Sequence, residues 1–212
     1  MLSQAIEKLA GDAAAQDLLN STRTTISEAQ TLFGAAIEAL TTEGRVEWKL
    51  ENGKRERQLS EYGAAAHTLA IELLEANAGD SFKAAVVLQE LSREVELLAD
   101  NVCNLAAVAQ TLPTGIQAGS LQPTWERVIE GVGKRLGQVQ AALVEGKEDE
   151  AARAAREPNP IPERCFGIIG DLVGNREKAI SAGGAVVLAF STRFLERIGA
   201  HSRRLLEVIA DA

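Results

Sequence analysis

The sequence predicts an all-α protein, and three observations support this fold class. Apolar residues recur at helical spacing along most of the 212-residue chain. No segment alternates apolar and polar residues over a useful length, and no Asn-Gly turn joins two β-rich runs. Aromatic residues make up only 4% of the chain while alanine is abundant, which favours close helix packing over a β-sandwich.

Three helices are expected in the first half of the chain. The first covers residues 25–40, where apolar side chains fall on one side of the helix. A second, long and highly charged helix is expected over 43–75, and Asn52 and Gly53 mark the place where it would break or kink. A third is expected over 80–110, because its first two residues, Asp and Ser, are typical cap residues.

The second half begins with a linker and continues with three more helices. Residues 111–123 contain two prolines, two glycines and no charge, which is typical of a linker. A fourth helix is expected over 124–144 and a fifth over 148–173. The segment EPNPIP (157–162) interrupts the fifth helix, because three prolines in five residues cannot stay helical. A last helix is expected from residue 176 to the C-terminus.

An internal repeat connects the two halves. When residues 85–105 are placed on 185–205, seven of the 21 paired positions are identical, whereas about one or two are expected by chance. The predicted architecture is therefore two tandem three-helix bundles with a pseudo-twofold repeat. Its parts are an N-terminal segment (1–20), a first three-helix repeat (21–110), a linker (111–122) and a second three-helix repeat (123–212), with both repeats in one domain.

Charge and composition exclude some classes of protein. The net charge of −8 offers no basic field for phosphates, which argues against nucleic-acid binding. The longest apolar run, residues 179–190, is too short to cross a bilayer, and the N-terminus lacks the features of a signal peptide. Cys103 and Cys165 have no metal or redox spacing, so we expect reduced, buried thiols. These observations predict a soluble cytoplasmic protein, peripheral to a membrane at most.

A row of polar residues lies in the third helix, opposite its predicted core face. Glu96, Asp100 and Asn104 are four apart, which keeps them in one row on a helix. Such a row is most often a solvated face. Alternatively, two carboxylates and an amide offer oxygen ligands to a hard cation, iron or manganese. The core face is expected to hold Leu88, Leu91, Val95, Leu98, Val102, Leu105 and Ala109.

The same row is altered in the second repeat. Its residues are Glu196, Ala200 and Arg204, so the aspartate and the amide are missing. A metal, if one binds, is therefore expected in the first repeat. No other chemistry emerges, since the two histidines, His67 and His201, form no zinc pair or catalytic triad with their sequence neighbours.

Two stretches resemble the motif of the PhoU family, which regulates bacterial phosphate uptake. They are SREVELLADNVCNLA (92–106) and STRFLERIGAHSRRLLE (191–207), and the family pattern is roughly R-x-L-E-R-I-x-D-x-A-x-N-I-A-E, once in each of two repeats. In the first stretch, Arg93, Glu96, Asp100 and Asn104 match the pattern. In the second, the segment LERIG (195–199) and the following histidine match.

The resemblance implies a non-enzymatic cytoplasmic regulator that dimerises. Such proteins link the phosphate transporter ATPase to a membrane sensor kinase and act negatively on the phosphate-starvation response. Some bind iron, zinc or another divalent metal at their E-x-x-x-D rows. Carried over to this chain, the candidate ligands are Glu96 and Asp100, with Asn104 as a supporting group and Glu196 as a remnant.

Two other functions remain open at this stage. The chain could be a helical scaffold or regulatory module for another transporter, with no phosphate role, and Ala200 and Arg204 favour that alternative. A carboxylate-bridged metalloenzyme is a more distant alternative, because it should carry Glu-x-x-His pairs on facing helices and this chain has none.

Overall fold

The computed structural model describes residues 2–9, 11–43, 47–112, 114–174 and 176–211, and it describes Asp80 by its backbone alone. All regular structure within these residues is helical, which confirms the predicted all-α class. The helices are α1 (Leu2–Lys8), α2 (Ala13–Thr41), α3 (Leu50–Ala76), α4 (Gly79–Gln110), α5 (Gln122–Val144), α6 (Glu148–Arg156), α7 (Ile161–Val173) and α8 (Ala182–Asp211), with a 3-10 turn, Gly119–Leu121, before α5.

Helix α2 begins twelve residues earlier than its apolar pattern predicted. Asp12 precedes the helix in an extended conformation, and its side chain accepts a hydrogen bond from the Ala15 backbone N–H at 3.1 Å. This is an N-cap, which satisfies one of the free N–H groups of the first turn. The other carboxylate oxygen accepts from Asn77 Nδ2 at 2.9 Å, so the same side chain connects the start of α2 to the end of α3.

We expect Asp12→Ala to lower the free energy of unfolding by about 1–2 kcal/mol at pH 7, because the helix loses its cap. The hydrogen bonds from Asn77 and from the Ala15 N–H hold the pKa of Asp12 below its usual value. A lowered carboxyl pKa stabilises the fold above the unfolded-state pKa, and this stabilisation disappears as the pH falls through the folded-state value. Urea unfolding at several pH values should therefore show the gap between wild type and variant closing below about pH 4. A gap that is constant down to pH 2 would contradict this assignment.

Helix α3 is shorter than the sequence predicted. Residues 47–49 are not helical, and Lys49 is extended (ψ 145°) immediately before the helix. Asn52 and Gly53 lie in the first turn, where the chain stays helical, so they do not interrupt α3. Helix α4 begins at Gly79, whose φ of +61° favours glycine. The predicted capping role of the Asp80 side chain lies outside the described residues.

In the second half, the predicted interruption by prolines is observed between α6 and α7. Helix α8, however, starts six residues later than predicted. The preceding loop is held by Glu177, which accepts hydrogen bonds from the backbone N–H groups of Ala179 and Ser120. Ser181 then accepts from the Gly184 N–H at 3.1 Å at the start of α8. Local hydrogen bonds to side chains compete with helix formation in this loop.

The helices pack in two groups, one around α4 and the other around α8. Helices α2, α3 and α4 contact one another, and α8 contacts α5, α6 and α7. The two groups meet where α4 packs on α8 and α2 packs on α5, while α1 lies against α4. The predicted core face of α4 is confirmed, because all seven of its apolar residues are buried. The finer prediction of two tandem three-helix bundles, and of the domain limits, stays a prediction.

Candidate functional site

The polar row of α4 lies beside α3 rather than on a fully solvated face. Glu96 is partly buried, whereas Asp100 and Asn104 are exposed. A Cβ atom built on Gly63 of α3 would lie 2.7 Å from Glu96 Oε1. The missing side chain at position 63 therefore makes room for the carboxylate. Sequence reasoning did not identify Gly63, although an isolated glycine inside a helical pattern is a recognised signal of close approach.

A groove of about 330 Å³ opens next to Glu96, between α3 and α4. Its walls carry both polar and small side chains, so they suit a polar group better than an apolar one. The lining residues are Ala66, His67, Ala70, Gln89, Ser92, Arg93 and Glu96.

An ion pair of the same kind occurs in both copies of the repeat. Arg93 Nη1 donates to Glu96 Oε2 at 2.6 Å, and Arg193 Nη1 donates to Glu196 Oε2 at 2.5 Å. Both arginines precede their glutamates by three residues, and the two pairs are 100 residues apart. The two stretches aligned in the sequence therefore share this local side-chain arrangement. Such exposed pairs contribute little to stability, so their position is more informative than their energy.

Asp100 lies in an unfavourable environment for a charged carboxylate. Although the residue as a whole is exposed, surrounding protein atoms remove part of the hydration of its carboxylate, which raises its pKa, and the neighbouring charge of Glu96 raises the pKa further. Because the two carboxylates repel one another, a bound cation would lower the energy of the pair. Within the described residues, however, no three side chains of His, Cys, Asp or Glu come close enough to hold a metal together.

Glu196 lies on α8, close to α7 of its own half. Its charge contributes to the high pKa of Cys165, which burial and, to a smaller extent, Glu196 raise to about 12. The four predicted site residues are therefore distributed over two helices, three on α4 and one on α8. Both cysteines are free thiols, and burial also raises the pKa of Cys103, to about 11.

Charged contacts across the α4–α8 interface were not expected from the sequence. Glu94 Oε2 lies 2.9 Å from His201 Nδ1, and both side chains are largely buried. Arg204, at the position where the family motif has asparagine, donates to Glu90. These two contacts show that α4 and α8 run antiparallel where they meet. Local spacing could not indicate them, because the partners are more than 100 residues apart.

None of the helices, over the residues that the structure describes, is long and apolar enough to span a membrane.

Comparisons with known proteins relate this architecture to solved structures of PhoU. No protein-family model matches the chain, and no curated protein matches it in sequence. Its structure is similar to that of the phosphate transport system regulatory protein PhoU from Streptococcus pneumoniae, with a TM-score of 0.67, 11% identity, and coverage of 93% of this chain and 94% of that one. It is also similar to PhoU from Pseudomonas aeruginosa, with a TM-score of 0.65, 13% identity and coverage of 99% and 97%. The predicted resemblance to PhoU is thus confirmed at the level of the fold.

Proposed function

We propose that this chain is a non-enzymatic cytoplasmic regulator of phosphate uptake that acts through protein contact. One observation carries the proposal: the chain matches structures of PhoU along nearly the whole length of both molecules. The similarity therefore extends beyond a single shared helical hairpin. The paired Arg93–Glu96 and Arg193–Glu196 contacts support it further, because they lie in the two stretches that resemble the family motif.

The partners that we propose are the ATPase of a phosphate transporter or a membrane sensor kinase, and the chain would act on them as a homodimer. Its effect would be negative, damping the response to phosphate starvation. In this mechanism, a helical surface of this chain binds the partner and either blocks its working surface or links one partner to the other. Phosphate status shifts the populations of bound and free partner.

Deletion of the gene in its native host tests the proposal. We expect a phosphate-starvation reporter to become active in phosphate-rich medium, and the intact gene supplied in trans to silence it. Leu98→Asp, which places a charge in the core, is the loss-of-fold control. A reporter and a phosphate uptake rate that both stay at wild-type levels after deletion would refute the phosphate role.

A scaffold for another transporter is the second candidate function. Arg204 favours it, because this residue forms an ion pair with Glu90 inside the molecule at a position where the family motif places an amide. The deletion experiment separates the two candidates. A scaffold for another transporter would leave the phosphate reporter unchanged and alter the uptake of a different substrate.

We also propose that Glu96 and Asp100 bind a divalent cation, with Asn104 as a supporting group. Two carboxylates beside one another suit a hard cation that keeps part of its water shell, such as Mg²⁺ or Mn²⁺, and offer none of the nitrogen and sulfur ligands that zinc prefers. The Arg93 ion pair competes for Glu96, so we expect weak binding. Glu196 lacks a second carboxylate at position 200 and would contribute no separate site.

Isothermal titration calorimetry with Mn²⁺ tests the metal site. We expect wild type to bind one ion with a Kd above about 10 µM, corresponding to less than about 7 kcal/mol of binding free energy. Glu96→Gln with Asp100→Asn should abolish that binding. The control is Glu72→Gln, which removes an exposed carboxylate of α3 that lies outside the polar row of α4. Equal binding by wild type and the double variant would show that the polar row is ordinary helix surface.

A further inference from the structure

Of the nine large apolar side chains that are exposed among the described residues, four lie on α7 and α8, including the two most exposed. Phe166 and Val173 on α7 are 81% and 83% exposed, and Val186 and Phe190 on α8 are both 55% exposed. Isolated exposed apolar residues are normal, but a concentration of them indicates an interaction surface. On α4, the residues at the corresponding end, Phe82 and Val86, are less exposed.

These four residues lie on two adjacent helices. A Cβ atom on Gly199 of α8 would lie 3.2 Å from Ile161 Cδ1 of α7, and the charge of Glu196 reaches Cys165. Since Ile161 is near Gly199 while Cys165 is near Glu196, α7 and α8 run antiparallel. Antiparallel contact brings the C-terminal half of α7 alongside the N-terminal half of α8.

The exposed face of α8 continues from apolar to basic residues. Val186, Phe190, Arg193 and Arg197 follow one another at spacings of four, three and four, so they form one stripe on the helix. The Phe190 ring stacks on Phe194 at 6.3 Å between ring centres. Arg193 and Arg197 are exposed, and Arg197 has no ion-pair partner among the described residues.

The two repeats differ in charge along this stripe. The positions of α4 that correspond to Phe190 and Arg197 are Glu90 and Leu97. Residues 1–110 hold 17 acidic and nine basic side chains, whereas residues 111–212 hold 13 of each, so the first half carries the whole net charge of the chain. The exposed face of α8 is thus apolar at Val186 and Phe190 and basic at Arg193 and Arg197, in a half of the chain that has no net charge, whereas the other half is acidic.

We propose that this surface docks an acidic amphipathic helix of a partner protein. The surface, called the α7–α8 surface below, consists of Phe166, Val173, Val186, Phe190, Arg193 and Arg197. An amphipathic helix presents apolar residues at intervals of three and four, which suits the exposed apolar residues of α7 and α8. Its flanking carboxylates would pair with Arg197 and compete with Glu196 for Arg193, in the bidentate geometry that arginine favours.

The charge distribution favours a partner protein over an anionic membrane. A bilayer extends beyond the α7–α8 surface and would repel the acidic first half of the chain. A single helix meets only the local field, because salt screens charges beyond about 8 Å. The inference rests on the proposed function, since it names the surface and the chemistry through which the regulator would contact its partner.

Fluorescence anisotropy with a designed peptide tests this inference. The probe is a labelled 18-residue helical peptide with leucine at helical spacing and glutamate on its other face, and the comparison peptide has lysine in place of every glutamate. We expect wild type to bind the glutamate peptide at least tenfold more tightly than the lysine peptide. Phe190→Ser and Arg197→Glu should each weaken binding at least fivefold.

Matched variants control for effects on folding and on overall charge. Phe82→Ser changes an exposed phenylalanine of α4, and Arg127→Glu reverses an exposed arginine of α5. Both should bind the glutamate peptide within twofold of wild type. Equal affinity for the two peptides, or an equal loss in the control variants, would overturn the inference. The inference would also be overturned if wild type bound neither peptide but cosedimented with phosphatidylglycerol vesicles, and Phe190→Ser abolished that cosedimentation. Self-association of wild type without peptide binding, again abolished by Phe190→Ser, would overturn it in the same way.

The reporter experiment distinguishes this inference from the proposed function. If the wild-type gene restores silencing and the Phe190→Ser gene restores it fully too, the docking surface is refuted and the regulator role stands. If the wild-type gene has no effect on the phosphate reporter, the proposed function fails whichever peptide binds. Silencing by wild type and by Phe82→Ser, but not by Phe190→Ser, supports both.

Discussion

Trp125→Ala is expected to lower the free energy of unfolding by about 3–5 kcal/mol. Trp125 lies near the start of α5 and is completely buried, and Val128 and Val132 continue the same buried stripe. Removal of the indole takes away the largest fully buried side chain among the described residues and leaves a cavity that neighbouring helices fill only in part. Urea unfolding followed by circular dichroism measures the loss, because helix content reports the whole fold.

The indole nitrogen provides a second comparison. Trp125 Nε1 is buried and has no hydrogen-bond partner among the described residues. Trp125→Phe should therefore be much less harmful than Trp125→Ala, because it keeps most of the apolar volume and loses no hydrogen bond. Leu50→Ala, at a residue that is 70% exposed, is the control and should change stability by less than about 0.5 kcal/mol. Equal effects at positions 50 and 125 would contradict the burial of Trp125 in the core.

Gly115→Ala should destabilise the protein by about 1–3 kcal/mol, although it adds only one methyl group. The linker folds back on the end of α2, where the Gly115 N–H donates to Thr42 O and the Ile116 N–H donates to Leu40 O, both at 2.8 Å. A Cβ atom at position 115 would lie 2.5 Å from Thr42 O and 3.0 Å from Leu40 O. Because both obstacles are backbone atoms, the linker has to move and its hydrogen bonds weaken.

Gly34→Ala is the matched control, and it should have the opposite sign. Gly34 lies inside α2, and a Cβ atom there meets nothing within 4 Å. Alanine favours a helix interior over glycine, so we expect this variant to gain about 0.5–1 kcal/mol. Thermal unfolding of both variants in one buffer compares them directly. If Gly115→Ala were as stable as Gly34→Ala, the linker would not be docked on α2 in solution.

Helix ends show how far local sequence signals extend. The apolar pattern indicated the body of every long helix, because the core-facing stripe depends only on helical periodicity. The start of α2 at Ala13 and the late start of α8 at Ala182 were predicted incorrectly. The first depends on Asp12 and its distant partner Asn77, and the second on Glu177, which reaches across to Ser120.

Some features of the candidate site could be predicted from the sequence, and others depend on the tertiary structure. The row of Glu96, Asp100 and Asn104 could be found from spacing on a single helix, as could its altered copy in the second repeat. The space that Gly63 leaves for Glu96 could not be found from the sequence, because it depends on how closely α3 approaches α4. Likewise, Arg204 seemed from the sequence to be only a loss of the motif, whereas in the structure it forms an ion pair with Glu90.

The sequence by itself therefore determined the all-α class, the approximate position of each long helix and the core face of α4. These features depend on which residues recur at short intervals along the chain, and such intervals place them on one side of a helix. Only the tertiary structure decided where α4 meets α8, which charges pair across that interface and which surface of α7 and α8 stays uncovered. Those features depend on pairs of residues far apart in the chain, whose contacts arise only when whole helices pack.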